Sequence, residues 1–191
     1  ADGLRILRMV RFASELGFEI EAHTFDVAKQ NAWRVKDLAV ERIREELCKI
    51  FVADTKHKEL ILPTAHVKGL RLLDELGLVD MLLPELSALK GLEQPKKYHL
   101  YDAYEHSVKA YEVAPQDIMF CTLMHDIGKA EAVKRYGNMH GHDVIGAEMM
   151  KSVCDRLKFS TAYTKRAVRL VRWHMVDLAG DMSENKLRRF V

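Results

Sequence analysis

Histidines and aspartates in the second half of the chain form a pattern that could bind a divalent metal ion. Nine histidines occur in 191 residues, and one of them begins the run His125-Asp126-Ile-Gly-Lys129. Four further residues of the same chemical types are spaced around this run: His106, His142, His174 and Asp177. Imidazole and carboxylate groups are natural ligands of divalent ions such as Mg, Mn, Ni, Co or Fe. A metal ion with open positions activates a bound water, so hydrolysis is the chemistry that this pattern favours.

Three further aspartates could add a carboxylate to such a site. Asp177 follows His174 by three residues, so one helical face can present both side chains, and we predict it as the ligand. Asp181 and Asp143 are the alternatives. Each histidine by itself also has a simpler interpretation, because a single His106 on an amphipathic helix is more often a surface or core-edge residue than a ligand.

A second set of polar residues begins the chain. Asp2, Arg5, Arg8 and Arg11 recur at every third position, and on a helix such neighbours lie side by side. In one interpretation Asp2 caps the helix and the arginines form a solvated surface. In the other, the stripe recognises a nucleotide base and its phosphates, because guanidinium groups match phosphate geometry. The spacing alone favours the first interpretation.

Several segments resemble the bacterial tRNA nucleotidyltransferases, the family of CCA-adding enzymes and poly(A) polymerases. Residues 2–18 resemble the segment that links the catalytic head of class II members to their helical body. Residues 41–47 are similar to the RNA-binding segment of that body, and residues 76–86 resemble its connection to an HD domain. Residues 125–129, with His106 before them, resemble the HD superfamily pattern.

The resemblance implies a nucleotide-binding role for the first set. In that family an Asp and an Arg three residues later act as a protein template for the incoming CTP or ATP, and Asp2 and Arg5 match them. Arg8 and Arg11 continue the same nucleotide-binding edge. The family's catalytic head, with its paired aspartates, is missing from this chain. ATP and CTP are therefore expected as substrates of the full-length protein.

The resemblance also implies a metal centre. It assigns one divalent ion to His106, His125, Asp126 and a later Asp, for which we choose Asp177. His142 and His174 match additional histidines that bind phosphate or a second metal in some members. The implied activity is a phosphohydrolase acting on 2′,3′-cyclic phosphates, 2′-nucleotides or other phosphoesters. Its catalytic residues would be His125, Asp126 and Lys129.

The elements that must position these residues are predicted to be helices. Apolar residues recur with helical spacing from residue 4 to 13, and Gly17 is predicted to end this helix in the left-handed conformation. Thr64 is a predicted N-cap of a later helix. In the second half, helices are expected near four segments: 102–113, 118–125, 142–157 and 162–176. No alternating pattern longer than about five residues indicates a strand, so the predicted fold class is all-α.

Helical periodicity loosens between residues 91 and 97, where we place a domain boundary. The prediction is a helical neck and body over residues 1–92, which carries the RNA-binding region, followed by an HD-domain bundle over 93–191. The last helical pattern stops without a cap, so the chain is expected to be part of a longer protein.

Composition favours a soluble protein with an anionic partner. The chain is 48% hydrophobic and 30% charged, and no segment reaches the length of a membrane span, so the expected location is the cytoplasm, away from membranes. Between Lys151 and Val191, ten Lys or Arg stand against four Asp or Glu, which favours RNA. The three cysteines lack metal-binding spacing and are expected to be buried, reduced thiols.

Together these features favour part of a tRNA nucleotidyltransferase that adds nucleotides such as CCA to tRNA 3′ ends, with tRNA and nucleotides as partners. One alternative is a free-standing HD-domain nucleotide phosphohydrolase, and another is a non-catalytic helical RNA-binding module. The arginine stripe and residues 41–47 separate the first hypothesis from the second. Metal-dependent phosphatase activity separates both from the third.

Overall fold

A computed structural model describes residues 2–94 and 100–176, and helices provide all the regular structure in these ranges. The α-helices in these ranges are α1 (Gly3–Glu15), α2 (Ala22–Gln30), α3 (Val40–Ile50), α4 (Ala65–Glu75), α5 (Leu78–Leu82), α6 (Pro84–Ser87), α7 (Ala103–Glu112), α8 (Met119–Leu123), α9 (Gly128–Tyr136), α10 (His142–Arg156) and α11 (Thr161–Trp173). Short 3-10 segments are Ala32–Asp37, Ala53–Thr55 and Lys58–Leu60. These ranges contain no strand, which confirms the all-α prediction. None of their helices is long and apolar enough to cross a membrane.

Local sequence explains where several helices begin and end. Asp2 caps α1, because its Oδ1 accepts a hydrogen bond from the main-chain nitrogen of Leu4 at 3.1 Å. Gly17 follows α1 with φ of 72°, the left-handed conformation predicted for it. Thr64 precedes α4 as predicted, but its side chain makes no capping hydrogen bond. The start of this helix was therefore predicted correctly, but the capping hydrogen bond from the Thr64 side chain is not formed.

One helix beside the metal-ligand pattern was not predicted. α9 begins at Gly128, two residues after Asp126, and no side chain caps it. Glycine is a poor helix former, so the pattern in residues 129–136 was obscured at its start. The helix ends at Gly137, whose φ of 71° follows the usual rule for helix ends.

Most of the buried apolar side chains form one connected core that joins both halves of the chain. Leu7 and Leu47 belong to the same cluster as Leu123. Where the halves meet, the buried Tyr111 hydroxyl donates toward the main-chain oxygens of Phe51 and His66, at 3.0 and 3.3 Å. The division into residues 1–92 and 93–191 stays a prediction.

Candidate metal centre and nucleotide-binding edge

Four segments of the second half bring predicted metal ligands together. His106 lies on α7, and His125 with Asp126 lies in the turn between α8 and α9. His142 is the first residue of α10, and His174 directly follows α11. The Asp126 side chain is only 1% exposed. The fold therefore gathers four histidines around one buried carboxylate.

One oxygen of Asp126 is surrounded by two histidines and a lysine. Its Oδ2 lies 3.5 Å from His106 Nε2 and 3.1 Å from His125 Nε2. Lys129 Nζ lies 2.6 Å from the same oxygen and donates a hydrogen bond to Gln94 Oε1 at 2.5 Å. Although these groups are close, Oδ2 accepts no well-aligned hydrogen bond from any described side chain.

The other oxygen of Asp126 faces a second pair of histidines. Its Oδ1 lies 3.2 Å from His142 Nε2 and 3.5 Å from His174 Nε2. The two imidazole nitrogens are themselves 3.2 Å apart. Asp126 therefore belongs to two triads, one with His106 and His125 and one with His142 and His174. In each triad the possible ligand atoms lie within 4.8 Å of one another.

Main-chain contacts fix the orientation of three imidazoles. The Nδ1 of each donates to the carbonyl three residues earlier: His125 to Thr122 at 2.7 Å, His142 to Met139 at 2.8 Å, and His174 to Val171 at 2.7 Å. A carbonyl can only accept, so Nδ1 carries a hydrogen and the neutral ring presents a lone pair at Nε2. This arrangement is typical of metal-binding histidines, whose other nitrogen is held by a second partner.

The donor set fits a divalent cation. If the imidazoles are neutral, their Nε2 lone pairs face the carboxylate oxygens of Asp126, and those of His142 and His174 also face each other. Hydrogen-bond acceptors at such distances repel one another unless a positive charge lies between them. Burial alone raises the pKa of Asp126, but contacts with His125, His142 and His174 hold it well below its ordinary value.

Lys129 is part of this charge balance. Its side chain is nearly buried between Asp126 and Gln94, and it also lines the adjoining cavity. A buried ammonium is costly unless it is paired, so Asp126 is its natural partner. Gln94 was not identified from the sequence, because its contact with Lys129 joins residues 35 positions apart and no local pattern marks it.

A cavity of about 790 Å³ adjoins the candidate metal centre at Lys129 and His142. Four apolar side chains line it: Leu92, Val133, Met139 and Met175. Polar side chains add hydrogen-bonding groups: Glu93, Gln94, Asn138, His140 and Asp143. This size and mixture of wall types are those of sites that bind small organic molecules. The cavity can accommodate far more than a phosphate group.

Asp143, an alternative fourth ligand, is engaged elsewhere. Its carboxylate pairs with the guanidinium of Arg172, and it belongs to neither triad. Asp177 and Asp181 lie outside the described residues. The choice of Asp177 as the fourth ligand therefore stays a prediction.

The three arginines of α1 lie in different environments. Arg5 and Arg8 are exposed. Arg11 is half-buried, since its Nε donates to Glu46 at 2.7 Å and its Nη1 donates to Glu15 at 3.0 Å. Arg11 therefore fastens α1 to α3, whereas Arg5 and Arg8 face solvent. Glu46 was missed from the sequence, although it lies three residues after the apolar Ile43, a spacing that places it on the buried face of α3.

Asp2 and Arg8 line a second, smaller cavity of about 390 Å³. The other charged side chains around it come from α3: Arg42, Glu45, Glu46 and Lys49. The cap hydrogen bond to Leu4 uses one carboxylate oxygen of Asp2. Capping and a place at this cavity are thus compatible, and the two interpretations of Asp2 need not exclude each other.

Comparison with protein families identifies two consecutive domains in the chain. Residues 17–90 match the probable RNA and SrmB-binding site of polymerase A. Residues 96–189 match the HD domain. The second match contains both triads around Asp126.

Known relatives match the chain almost from end to end. The A-adding tRNA nucleotidyltransferase of Deinococcus radiodurans is 37% identical over 100% of this chain and 45% of its own length. The CC-adding tRNA nucleotidyltransferase of Thermus thermophilus is 34% identical over 99% of this chain and 44% of its own. The multifunctional CCA protein of Teredinibacter turnerae is 31% identical over 91% and 43%. The chain spans about half the length of the curated relatives it matches.

Proposed function

The chain belongs to the tRNA nucleotidyltransferase family, in the part that joins an RNA-binding domain to an HD domain, and on this premise we propose its function. It is the tRNA-binding and phosphohydrolase part of an enzyme that adds nucleotides from CTP or ATP to tRNA 3′ ends. The similarity covers the body as well as the HD domain, which favours this function over a free-standing HD phosphohydrolase.

The convergence of acceptor atoms on the buried Asp126 is the observation that supports hydrolysis. The first divalent ion would be held by His106, His125 and Asp126. The fourth ligand would be Asp177, which lies outside the described residues. His142 and His174 would hold either a phosphate or a second ion through the other oxygen of Asp126. Such an ion would supply an activated water and would polarise a phosphoryl oxygen.

Groups of the protein itself orient the ligands and the substrate site. The main-chain carbonyls of Thr122, Met139 and Val171 keep three Nε2 atoms directed at Asp126, so the ligands are oriented before binding. Lys129 places a positive charge between Asp126 and the cavity, where it can attract a phosphate. The apolar part of the cavity wall can receive an organic group attached to that phosphate.

Metal analysis of the purified chain tests the proposed centre. After equilibration with Mn²⁺ and gel filtration, we expect bound manganese in the wild type and none in Asp126→Asn, which keeps the shape but loses the charge shared by both triads. If the wild type binds two ions, His142→Ala should lose one. If it binds one, His142→Ala should keep it and lose phosphate affinity. His140→Ala is the matched control, because His140 lines the cavity but belongs to neither triad.

A hydrolysis assay tests the activity itself. With Mn²⁺ present, the wild type should hydrolyse 2′,3′-cyclic AMP or bis(p-nitrophenyl) phosphate, and His125→Ala should lose about 100-fold or more, because a direct ligand is removed. The His140→Ala control should retain manganese and the larger part of the activity. Full manganese content in Asp126→Asn would overturn the metal centre, and a metal-loaded wild type without hydrolysis would overturn the phosphohydrolase.

Salt-dependent binding of tRNA tests the RNA part. Each cation that contacts a phosphate releases counterions, so the logarithm of affinity should fall steeply with the logarithm of salt. We expect Arg5→Ala with Arg8→Ala to weaken binding and to reduce that slope by about two. Lys134→Ala, an exposed lysine on α9, is the control and should leave the slope unchanged. A slope near zero for the wild type would contradict RNA binding.

A further inference from the structure

An exposed tryptophan lies in the 3-10 segment Ala32–Asp37, next to the first turn of α1. Trp33 is 48% exposed, which is unusual for the largest apolar side chain. The guanidinium carbon of Arg34 lies 4.9 Å from the centre of its ring. Arg34 is itself held in place, because its Nε donates to Asn31 Oδ1 at 3.2 Å. The ring and the cation therefore form a preorganised pair at the surface.

Backbone packing fixes this pair beside the residues of the nucleotide-binding edge. A Cβ at Gly3 would lie 2.6 Å from the main-chain oxygen of Arg34 and 2.9 Å from the nitrogen of Val35. Only glycine permits so close an approach. Val35 is fully buried and anchors the segment from the other side. The main chain of Arg34, the residue after Trp33, is thus held against Gly3, the residue after Asp2.

The charges around the ring suit a polyanion. Arg5 and Arg8 on α1 and Lys36 in the 3-10 segment are exposed, in addition to Arg34. The exposed acids are Asp37 in the segment and Asp2 before α1, fewer than these four cations. An indole paired with a cation, on elements with more exposed cations than acids, differs from the core of a protein-docking patch, which is poor in charged residues. It matches the way in which single-stranded nucleic acids are bound, with bases stacked on aromatic rings and phosphates on nearby cations.

We propose that Trp33 and Arg34 form a stacking platform for an unpaired base of an RNA strand. Arg5 and Lys36 then contact the phosphates on either side of that base. The inference rests on the proposed RNA binding and adds to it a specific contact with unpaired RNA. A platform beside the nucleotide-binding edge would hold a single-stranded end and not a duplex.

The chain allows a direct test, because its two tryptophans are Trp33 and Trp173. In Trp173→Phe, the fluorescence reports Trp33 alone. A short RNA hairpin with an unpaired 3′ end should quench it, whereas the same stem with a blunt end should not. Trp33→Leu should weaken binding of the overhang hairpin by about tenfold, and Trp33→Phe should weaken it far less, since phenylalanine still stacks.

The salt dependence separates stacking from charge. Because the ring is neutral, Trp33→Leu should lower affinity equally at all salt concentrations, whereas Arg5→Ala should reduce the salt slope. If Trp33→Leu binds the overhang hairpin like the wild type while Arg5→Ala binds it less tightly, the platform is wrong and RNA binding stands. Equal quenching by the blunt hairpin or by polyglutamate overturns the platform as well. Absence of any RNA binding overturns both proposals.

Discussion

The two carboxylate oxygens of Asp126 have different neighbours, and the ammonium of Lys129 contacts one of these oxygens. This ammonium lies 2.6 Å from Oδ2, the oxygen that faces His106 and His125. A divalent ion in that triad would also need Oδ2. Two positive charges that share one carboxylate oxygen repel each other, so Lys129 should limit the affinity of this triad for metal.

Replacement of Lys129 tests this competition. Lys129→Met should bind Mn²⁺ about tenfold more tightly, since a like charge is removed from the ligand, while hydrolysis should fall because the phosphate loses a cation. The metal-free variant should be less stable, as Asp126 loses its buried partner. Isothermal titration measures the Mn²⁺ affinity, and thermal unfolding measures the stability. Lys134→Met is the control, since Lys134 is exposed on the same helix. Unchanged or weaker Mn²⁺ binding by Lys129→Met would contradict the competition.

A buried thiol makes a separate prediction about alkaline stability. Burial raises the pKa of Cys154 from 9.0 to about 11. Above pH 9 the thiol ionises in the unfolded chain but stays protonated in the folded one, so stability is lost as pH rises from 9 to 11. Two pKa units correspond to roughly 2–3 kcal/mol. Urea unfolding under reducing conditions should show this loss for the wild type.

Variants at the same position isolate the thiol from other groups. Cys154→Ala and Cys154→Ser should each lose less stability between pH 9 and 11 than the wild type, whatever their stability at pH 8. Parallel pH curves for all three proteins would contradict the effect.

The expectation that all three cysteines are buried is wrong for Cys48, which is exposed, while Cys121 and Cys154 are buried.

Among the elements, the packing of α9 on α10 positions His142 relative to Asp126. Gly128 lies where the helices meet: a Cβ there would be 2.0 Å from the main-chain oxygen of His142 and 2.5 Å from the nitrogen of Gly146. Main-chain atoms cannot move aside as a flexible side chain can. The residue after Ile127 in the metal-ligand run is therefore glycine for a packing reason, and the distance between His142 and Asp126 depends on it.

Gly128→Ala should consequently lower stability and disturb the proposed metal centre. We expect a loss of about 3 kcal/mol, at the upper end of overpacking effects, together with weaker Mn²⁺ binding. Gly137→Asn is the control, because no atom lies within 4 Å of a Cβ at Gly137 and asparagine tolerates its left-handed conformation. Denaturant unfolding and Mn²⁺ titration of both variants give the comparison. A Gly128→Ala protein as stable as Gly137→Asn would refute the packing argument.

The sequence predicted what depends on local patterns and missed what depends on distant contacts. The run from His125 to Lys129 and the cap at Gly17 involve residue types and spacings within a few positions. The all-α class followed from helical periodicity over many segments. The pairing of Arg11 with Glu46 joins residues 35 positions apart, and the two-triad geometry depends on how α7, α10 and α11 pack. Spacing along the chain carries no information about such packing.

At the scale of the whole molecule, ion pairs and the shared core join the halves. Arg71 in the first half forms two hydrogen bonds with Glu105, at 2.6 and 2.5 Å. Arg156 donates to both oxygens of Glu85, at 2.6 and 2.8 Å. Exposed ion pairs add little stability individually, so the main link is the buried core and Tyr111. We therefore expect the two family-defined domains to unfold as one cooperative unit.

Each half carries one tryptophan, so cooperativity can be measured within a single chain. In Trp173→Phe the fluorescence follows the first half through Trp33, and in Trp33→Phe it follows the second half through Trp173. Both urea curves should have the same midpoint and slope, because one core unfolds in one transition. Adding Tyr111→Phe should lower both midpoints together, because the buried main-chain oxygens of Phe51 and His66 lose their donor. The expected loss in the free energy of unfolding is about 1–3 kcal/mol. Two separate midpoints, or a Tyr111→Phe effect confined to one tryptophan, would show instead that the body and the HD domain unfold independently.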